Sequence, residues 1–223
     1  MRSYQSTKRF SDLSERVPPI NFEEQTVFVV DDEVSTLDWM QRLLSSIRLK
    51  MEKFQSPDLF LKTITAKHTG CIVLDVRMPQ MSGLEVQEHL IQMGITLPVI
   101  FLSAFGDIPM VLHAIRNGAF DFLEKPVREQ TLLDSINLAL RHNREQHQRD
   151  IESESLRSRS NSLTNRECDV LRLIAAGKPN KAIADELGVS MKTIEYRRAN
   201  IMMKLNVSCT AELICAALTL NLT

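Results

Sequence analysis

Apolar residues follow two rhythms along this 223-residue chain. In the first, short β-branched and aromatic runs stop abruptly at polar groups. TVFVV begins at Thr26 and stops at Asp31, Asp32 and Glu33. Ile72, Val73 and Leu74 stop at Asp75, and PVIFL, beginning at Pro98, stops at Ser103 and Ala104. A run from Ala119 to Leu123 stops at Glu124, Lys125 and Pro126, and Lys50 to Gln55 is a weaker fifth run. Runs of this length and composition are strands buried in a sheet. Between them apolar residues recur at helical spacing: Leu37, Met40, Leu44 and Ile47, then Leu84, Leu90 and Ile91, then Leu132, Leu133, Ile136 and Leu140. Ser56-Pro57 opens another helix, with serine as N-cap and proline at the first helical position. A helix over 107–117 stops at Gly118. Five alternations of strand and helix predict an α/β fold, a five-stranded, doubly wound parallel sheet.

The second rhythm is helical throughout. Thr164 followed by Glu167 is a capping box, and Val170, Leu171 and Ile174 supply an apolar face up to Gly177. A short helix over 180–187 turns inward through Ile183, Ala184 and Leu187. In Gly188-Val189-Ser190 the glycine permits a positive φ and the serine caps the next helix, 191–205. That helix buries Ile194, Ile201 and Leu205 and carries Lys192, Thr193, Glu195, Tyr196, Arg197, Arg198, Asn200 and Lys204 elsewhere. A mostly apolar helix over 210–220 completes a small all-α, four-helix domain containing a helix-turn-helix.

These rhythms divide the chain into a polar leader (1–22), an α/β domain (23–141), a linker (142–162) and a helical domain (163–223). Helix formers dominate the linker as far as Glu154; Ser and Arg then loosen it. Hydrophobic content of 43% and charged content of 25% are those of a soluble globular protein. No apolar run approaches the ~18 residues of a membrane span, and the N-terminus lacks the apolar core of a signal peptide. A cytoplasmic protein without membrane attachment is expected. Cys71, Cys168, Cys209 and Cys215 show neither CxxC pairing nor metal-ligand spacing and read as free thiols.

Charge is uneven. Residues 23–140 hold 10 basic and 16 acidic side chains, whereas residues 163–223 hold 8 basic and 6 acidic. The front half suits a cation and the back half is compatible with DNA.

Chemistry in an open α/β sheet sits beyond the carboxyl ends of its strands, where Asp31, Asp32, Asp75, Ser103 and Lys125 fall. Carboxylates held together repel unless a cation neutralises them, and oxygen-only ligands suit Mg²⁺. An aspartate attacking phosphorus gives an acyl phosphate. Mg²⁺ and Lys125 would stabilise the phosphoryl oxygens, Ser103 could hydrogen-bond one of them, and small Ala104 leaves room.

The motifs VVDDE, VLDVRMPQMSG, VIFLSAFGD and GAFDFLEKP resemble the receiver domain of two-component response regulators, a flavodoxin-like fold. Asp32, Asp75, Ser103 and Lys125 lie 43, 28 and 22 residues apart, as in that family. The resemblance implies that Asp75 is the phosphoacceptor. It implies Mg²⁺ bound by Asp31, Asp32, Asp75 and the backbone carbonyl of Arg77, Ser103 and Phe122 as a switch pair, and a cis bond before Pro126. Phe122 stands where many receivers have tyrosine, so the ring can move but has no hydroxyl.

LTNRE, NKAIADELGVSMKTIE and RRANIMMKL resemble the LuxR/FixJ/NarL-type output domain. By that resemblance 191–205 is the recognition helix, with Lys192, Thr193, Tyr196 and Arg197 near bases or phosphates, and Arg198 and Lys204 on the backbone. The family often has His where this chain has Arg197.

Together the resemblances imply a phosphorylation-dependent transcriptional regulator, an activator, of a two-component system. Its partners would be a sensor histidine kinase, promoter DNA, RNA polymerase and, once phosphorylated, a second copy of itself. No enzyme activity is expected beyond self-catalysed phosphoryl acceptance and slow hydrolysis, because the second catalytic aspartate of aspartate-based phosphatases is replaced by Arg77. The alternative is a phosphorelay receiver whose helical domain binds protein.

Overall fold

The computed structural model describes residues 25–104 and 108–222. The expected leader and the Asp107 end of the fourth helix lie outside these. The described residues form two compact units, divided between Arg144 and Glu145.

In the first unit, strands β1 (Thr26–Val30), β2 (Lys50–Phe54), β3 (Gly70–Asp75), β4 (Val99–Ser103) and β5 (Asp121–Glu124) form one parallel sheet in the order β2-β1-β3-β4-β5. They alternate with α1 (Val34–Ser46), α2 (Pro57–Thr63), α3 (Gly83–Gln92), α4 (Ile108–Arg116) and α5 (Glu129–Ser160). Because side chains alternate along a strand, the sheet feeds two cores. Phe28, Val30, Ile72, Leu74 and Phe101 pack under α2, α3 and α4 through Phe60, Val86, Leu90 and Ala114. Val27, Val29, Val73, Ile100 and Leu102 pack under α1 and α5 through Leu37, Met40, Leu44, Leu132, Ile136 and Leu140. Covering both faces explains why the strands read as continuous apolar runs.

Local chemistry sets the helix starts. Ser56 caps α2 with Pro57 at its first position, and Ser82 and Glu85 make a capping box on α3. A buried polar knot, invisible to periodicity, ties β1 and β3 to α5. Asn143 Oδ1 accepts from the Gly70 N–H at 2.8 Å, and Gln25 Nε2 donates to the Leu140 carbonyl at 2.9 Å.

The expected loosening after Glu154 does not occur: α5 is helical to Ser160. Up to Glu154 side-chain pairs four residues apart brace it, Gln146–Asp150 at 3.2 Å and Gln148–Glu152 at 2.7 Å; beyond it Arg159 Nε donates to the Ser155 carbonyl at 3.3 Å and Ser160 Oγ to the Arg157 carbonyl at 2.6 Å. Among the described residues, no single helix is long and apolar enough to cross a membrane.

The second unit packs α6 (Asn165–Ala175), α7 (Asn180–Leu187), α8 (Met191–Leu205) and α9 (Thr210–Thr219) around Leu171, Ile183, Ile194, Ile201 and Leu213. Thr164 and Glu167 form the capping box of α6, Gly188 takes the left-handed conformation after α7 (φ 63°), and Ser190 caps α8.

Candidate functional site

Strand order reverses between β1 and β3, which opens a crevice at their carboxyl ends. Asp31 follows β1 and Asp75 ends β3; both are buried. Lys125, just past β5, reaches across the strand ends, and its Nζ donates to Asp31 Oδ2 at 2.8 Å and to Asp75 Oδ1 at 2.6 Å. Main-chain groups hold the other two oxygens. Asp31 Oδ1 accepts from the Glu33 N–H at 2.9 Å, and Asp75 Oδ2 from the Arg77 N–H at 2.7 Å.

Two carboxylates therefore share one ammonium. Burial pushes the Asp31 carboxyl above its ordinary value, against the pull of Lys125. Burial pulls Lys125 down, but its hydrogen bonds and attraction to both aspartates outweigh this and raise it. With both aspartates ionised the trio keeps one negative charge, which favours a further cation.

Asp32 lies beside the pair, half-buried. Among the described residues no three His, Cys, Asp or Glu side chains are arranged to hold a metal; the carboxylates brought onto a common cation are Asp31 and Asp75. Two carboxylates and a backbone oxygen fit Mg²⁺, which takes few protein ligands and keeps several waters.

Ser103 ends β4, buried, and its carbonyl accepts from the Lys125 N–H at 2.8 Å. Phe122 in β5 is half-buried, its ring 6.0 Å from that of Phe101. The Lys125–Pro126 bond is cis, as the resemblance implies.

In the second unit, α8 presents an open face. Met191, Lys192, Glu195, Tyr196, Ala199 and Met203 are exposed at helical spacing, and Tyr196 is 69% exposed. The other candidates for DNA contact divide differently. Thr193 Oγ1 is 2.8 Å from Ser190 Oγ at the helix cap. Arg198 is held at both ends of its guanidinium, by Asn180 Oδ1 at 3.1 Å and Thr210 Oγ1 at 2.8 Å. Lys204 donates to Glu167 Oε2 at 2.7 Å and to the Ser162 carbonyl at 3.0 Å. Arg197 is half-buried. Glu195 has no role in the sequence pattern beyond the charged side of this helix, and Ala199 has none at all; their spacing from Lys192 and Tyr196 is the signal that marks both.

Residues 27–137 match the family described as response regulator receiver domain, and residues 161–217 match the bacterial regulatory proteins of the luxR family. The chain is 45% identical over 188 residues to the transcriptional regulatory protein TdiR of Thauera aromatica, covering 84% of this chain and 83% of that one. Identity to the transcriptional regulatory protein FixJ of Rhizobium meliloti is 34% over 195 residues, covering 87% and 96%. The response regulator StyR has a similar structure (TM-score 0.74, 43% identity, covering 87% of this chain and 98% of that one).

Proposed function

Because the chain belongs to the FixJ/NarL family of response regulators, joining a receiver domain to a LuxR-type DNA-binding domain, we propose that phosphorylation of Asp75 switches its activity as a transcriptional regulator. The observation that carries this is the convergence of Asp31, Asp75 and Lys125 at the strand switch point.

The donor is a sensor histidine kinase. An Asp75 carboxylate oxygen attacks phosphorus, the phosphorus–nitrogen bond to the kinase histidine breaks, and that nitrogen keeps the electron pair. Lys125 is placed to neutralise the incoming phosphoryl oxygens, and Arg77 N–H orients the nucleophile through Asp75 Oδ2. Asp31, Asp75 and the Arg77 carbonyl would hold Mg²⁺, with Asp32, next to Asp31 in the chain, as a further negative charge, and the ion would supply charge neutralisation on the transferring group. The product is a mixed anhydride that the protein hydrolyses slowly; no other substrate is turned over.

The new charge redistributes Lys125 and Ser103, and Phe122 follows. Phosphorylation need only favour one pre-existing state by a few kcal/mol to shift the population. The readout is a face of α4, where Ile108, Leu112 and Ile115 expose 75%, 46% and 47% of their surface on one helix side. A second copy covers this stripe. Dimerisation sets two α8 helices about one DNA turn apart, ~34 Å. Lys192 and Tyr196 on the open face, with Arg197 at its flank, meet DNA; Thr193, Arg198 and Lys204 fix the helix in place. The protein activates transcription by contact with RNA polymerase.

Promoter binding with and without a small phosphodonor, in the parent and in Asp75→Asn, tests this. Phosphodonor should increase dimerisation and binding in the parent alone. Equal gains in the variant would overturn the coupling. Binding that does not weaken steeply with salt would overturn the DNA reading.

A further inference from the structure

Resting on the reading of α8 as the helix that meets DNA, we infer that Glu195 selects a cytosine in the binding site. Four observations meet at this residue. Its position follows the exposed face, Met191–Glu195–Ala199–Met203, one residue in every four, with Lys192 and Tyr196 alongside. It lies in the second turn of the helix, the N-terminal part that reaches base edges in a helix-turn-helix. Its carboxylate has no hydrogen bond or ion pair among the described residues. Finally, the four basic residues of the helix do not compensate it. Arg198 and Lys204 are committed to Asn180, Thr210, Glu167 and Ser162, and neither Lys192 nor Arg197 forms an ion pair with it.

A bare carboxylate on a surface that approaches phosphates is a liability. Like charges repel, and the acid loses water on docking. It is compatible with tight binding only where a donor meets it in the groove. The major-groove edge of cytosine offers one, the N4 amino group, and glutamate accepting from N4 is an established pairing type. Guanine presents the acceptors N7 and O6, and thymine presents O4 and a methyl group, so both leave the carboxylate unpaired and repelled; adenine offers the N6 donor but sets the N7 acceptor beside it, against the second carboxylate oxygen, so it is the weaker partner. Glu195 thus discriminates chiefly by rejection. Ala199, one turn further on, has no side chain beyond Cβ and lets the helix sit close to the base edges.

Glutamine keeps the shape and adds a donor, and its preferred partner is adenine through N6 and N7. Alanine removes both attraction and repulsion. Because Glu195 is exposed and unpartnered, neither substitution disturbs the fold.

The test is selection of binding sites from randomised duplex DNA by the full chain, phosphodonor present, for the parent, Glu195→Gln and Glu195→Ala. The parent should select one C·G pair in each half-site. Glu195→Gln should move the preference at that pair to A·T. Glu195→Ala should flatten it by roughly 5- to 150-fold and bind non-specific DNA more tightly than the parent. Identical selected sequences in all three proteins would overturn the assignment. A parent that enriches no sequence would instead overturn the DNA-binding reading itself, which separates the two failures.

Discussion

Gly83 packs against the main chain of Asp75 so closely that a methyl group on it would lie 2.2 Å from the Asp75 carbonyl oxygen. The helix that follows the site is thereby seated directly on the residue that carries it. The Gly83 N–H also donates to the Val76 carbonyl at 3.0 Å. The glycine is needed here for closeness.

Gly83→Ala should therefore strain the backbone at Asp75. A loss of about 1–3 kcal/mol in stability is expected, the range for inserting one carbon into a packed site. Phosphoryl acceptance should fall as well, because Asp75 and Arg77 shift together. Denaturant unfolding and phosphorylation rates check the two effects. Full stability and full rate in the variant would contradict the packing argument.

Asp31 is the costly member of the charged trio. Its carboxyl is buried and pushed up, so the folded state holds its proton more readily than the unfolded chain does. The sign follows: this group favours folding at low pH and opposes it once the pH rises through its folded value. At neutral pH, Asp31→Asn should stabilise the receiver by about 0.5–2 kcal/mol, the usual gain from relieving a functional site, since Lys125 keeps Asp75 as partner. Phosphorylation in Mg²⁺ should drop at the same time. A destabilised variant in thermal melts would contradict this.

Glu167 behaves in the opposite sense. Burial raises its carboxyl, but hydrogen bonds from Lys204 and Thr164 outweigh this and leave it below the usual value. A depressed acid contributes stability above its unfolded pKa, ~4.3, and that contribution disappears as the pH falls through its folded value. The helical domain should open on acidification in this window, read by hydrogen exchange at α6 and α8. Glu167→Gln should cost about 1–3 kcal/mol at neutral pH and remove most of this pH dependence. Unaltered pH dependence would contradict it.

Much of this architecture was legible in the chain because it obeys simple periods. Runs such as TVFVV and Ile72–Leu74 ended where the strands end, since a parallel sheet covered on both faces leaves polar residues only at its margins. The grouping of Asp31, Asp75 and Lys125 followed from their places at the carboxyl ends of the strands. What periodicity could not give was direction and partnership. Arg198 and Lys204 read as free basic residues on a charged helix, yet three-dimensional neighbours claim both. The capping box of Glu167 was legible, but its burial and its ion pair with Lys204 were not, and nothing local marked Glu195 as exposed and unpaired. The linker was expected to loosen after Glu154 from local composition, whereas the helix runs on to Ser160, with Arg159 and Ser160 side chains donating to carbonyls one turn back. Gln25 and Asn143 lie in no apolar pattern and were invisible as buried anchors.

The proposed switch depends on the carboxylate gripped by Lys125 receiving the phosphoryl group. The most direct measurement incubates parent and Asp75→Asn with a small phosphodonor and Mg²⁺, then locates the modification by mass spectrometry of the peptides. One base-labile phosphoryl group is expected at Asp75 in the parent, lost on chelation of the metal before the reaction, and none in the variant. Equal labelling of both proteins, or a label on another residue, would contradict it.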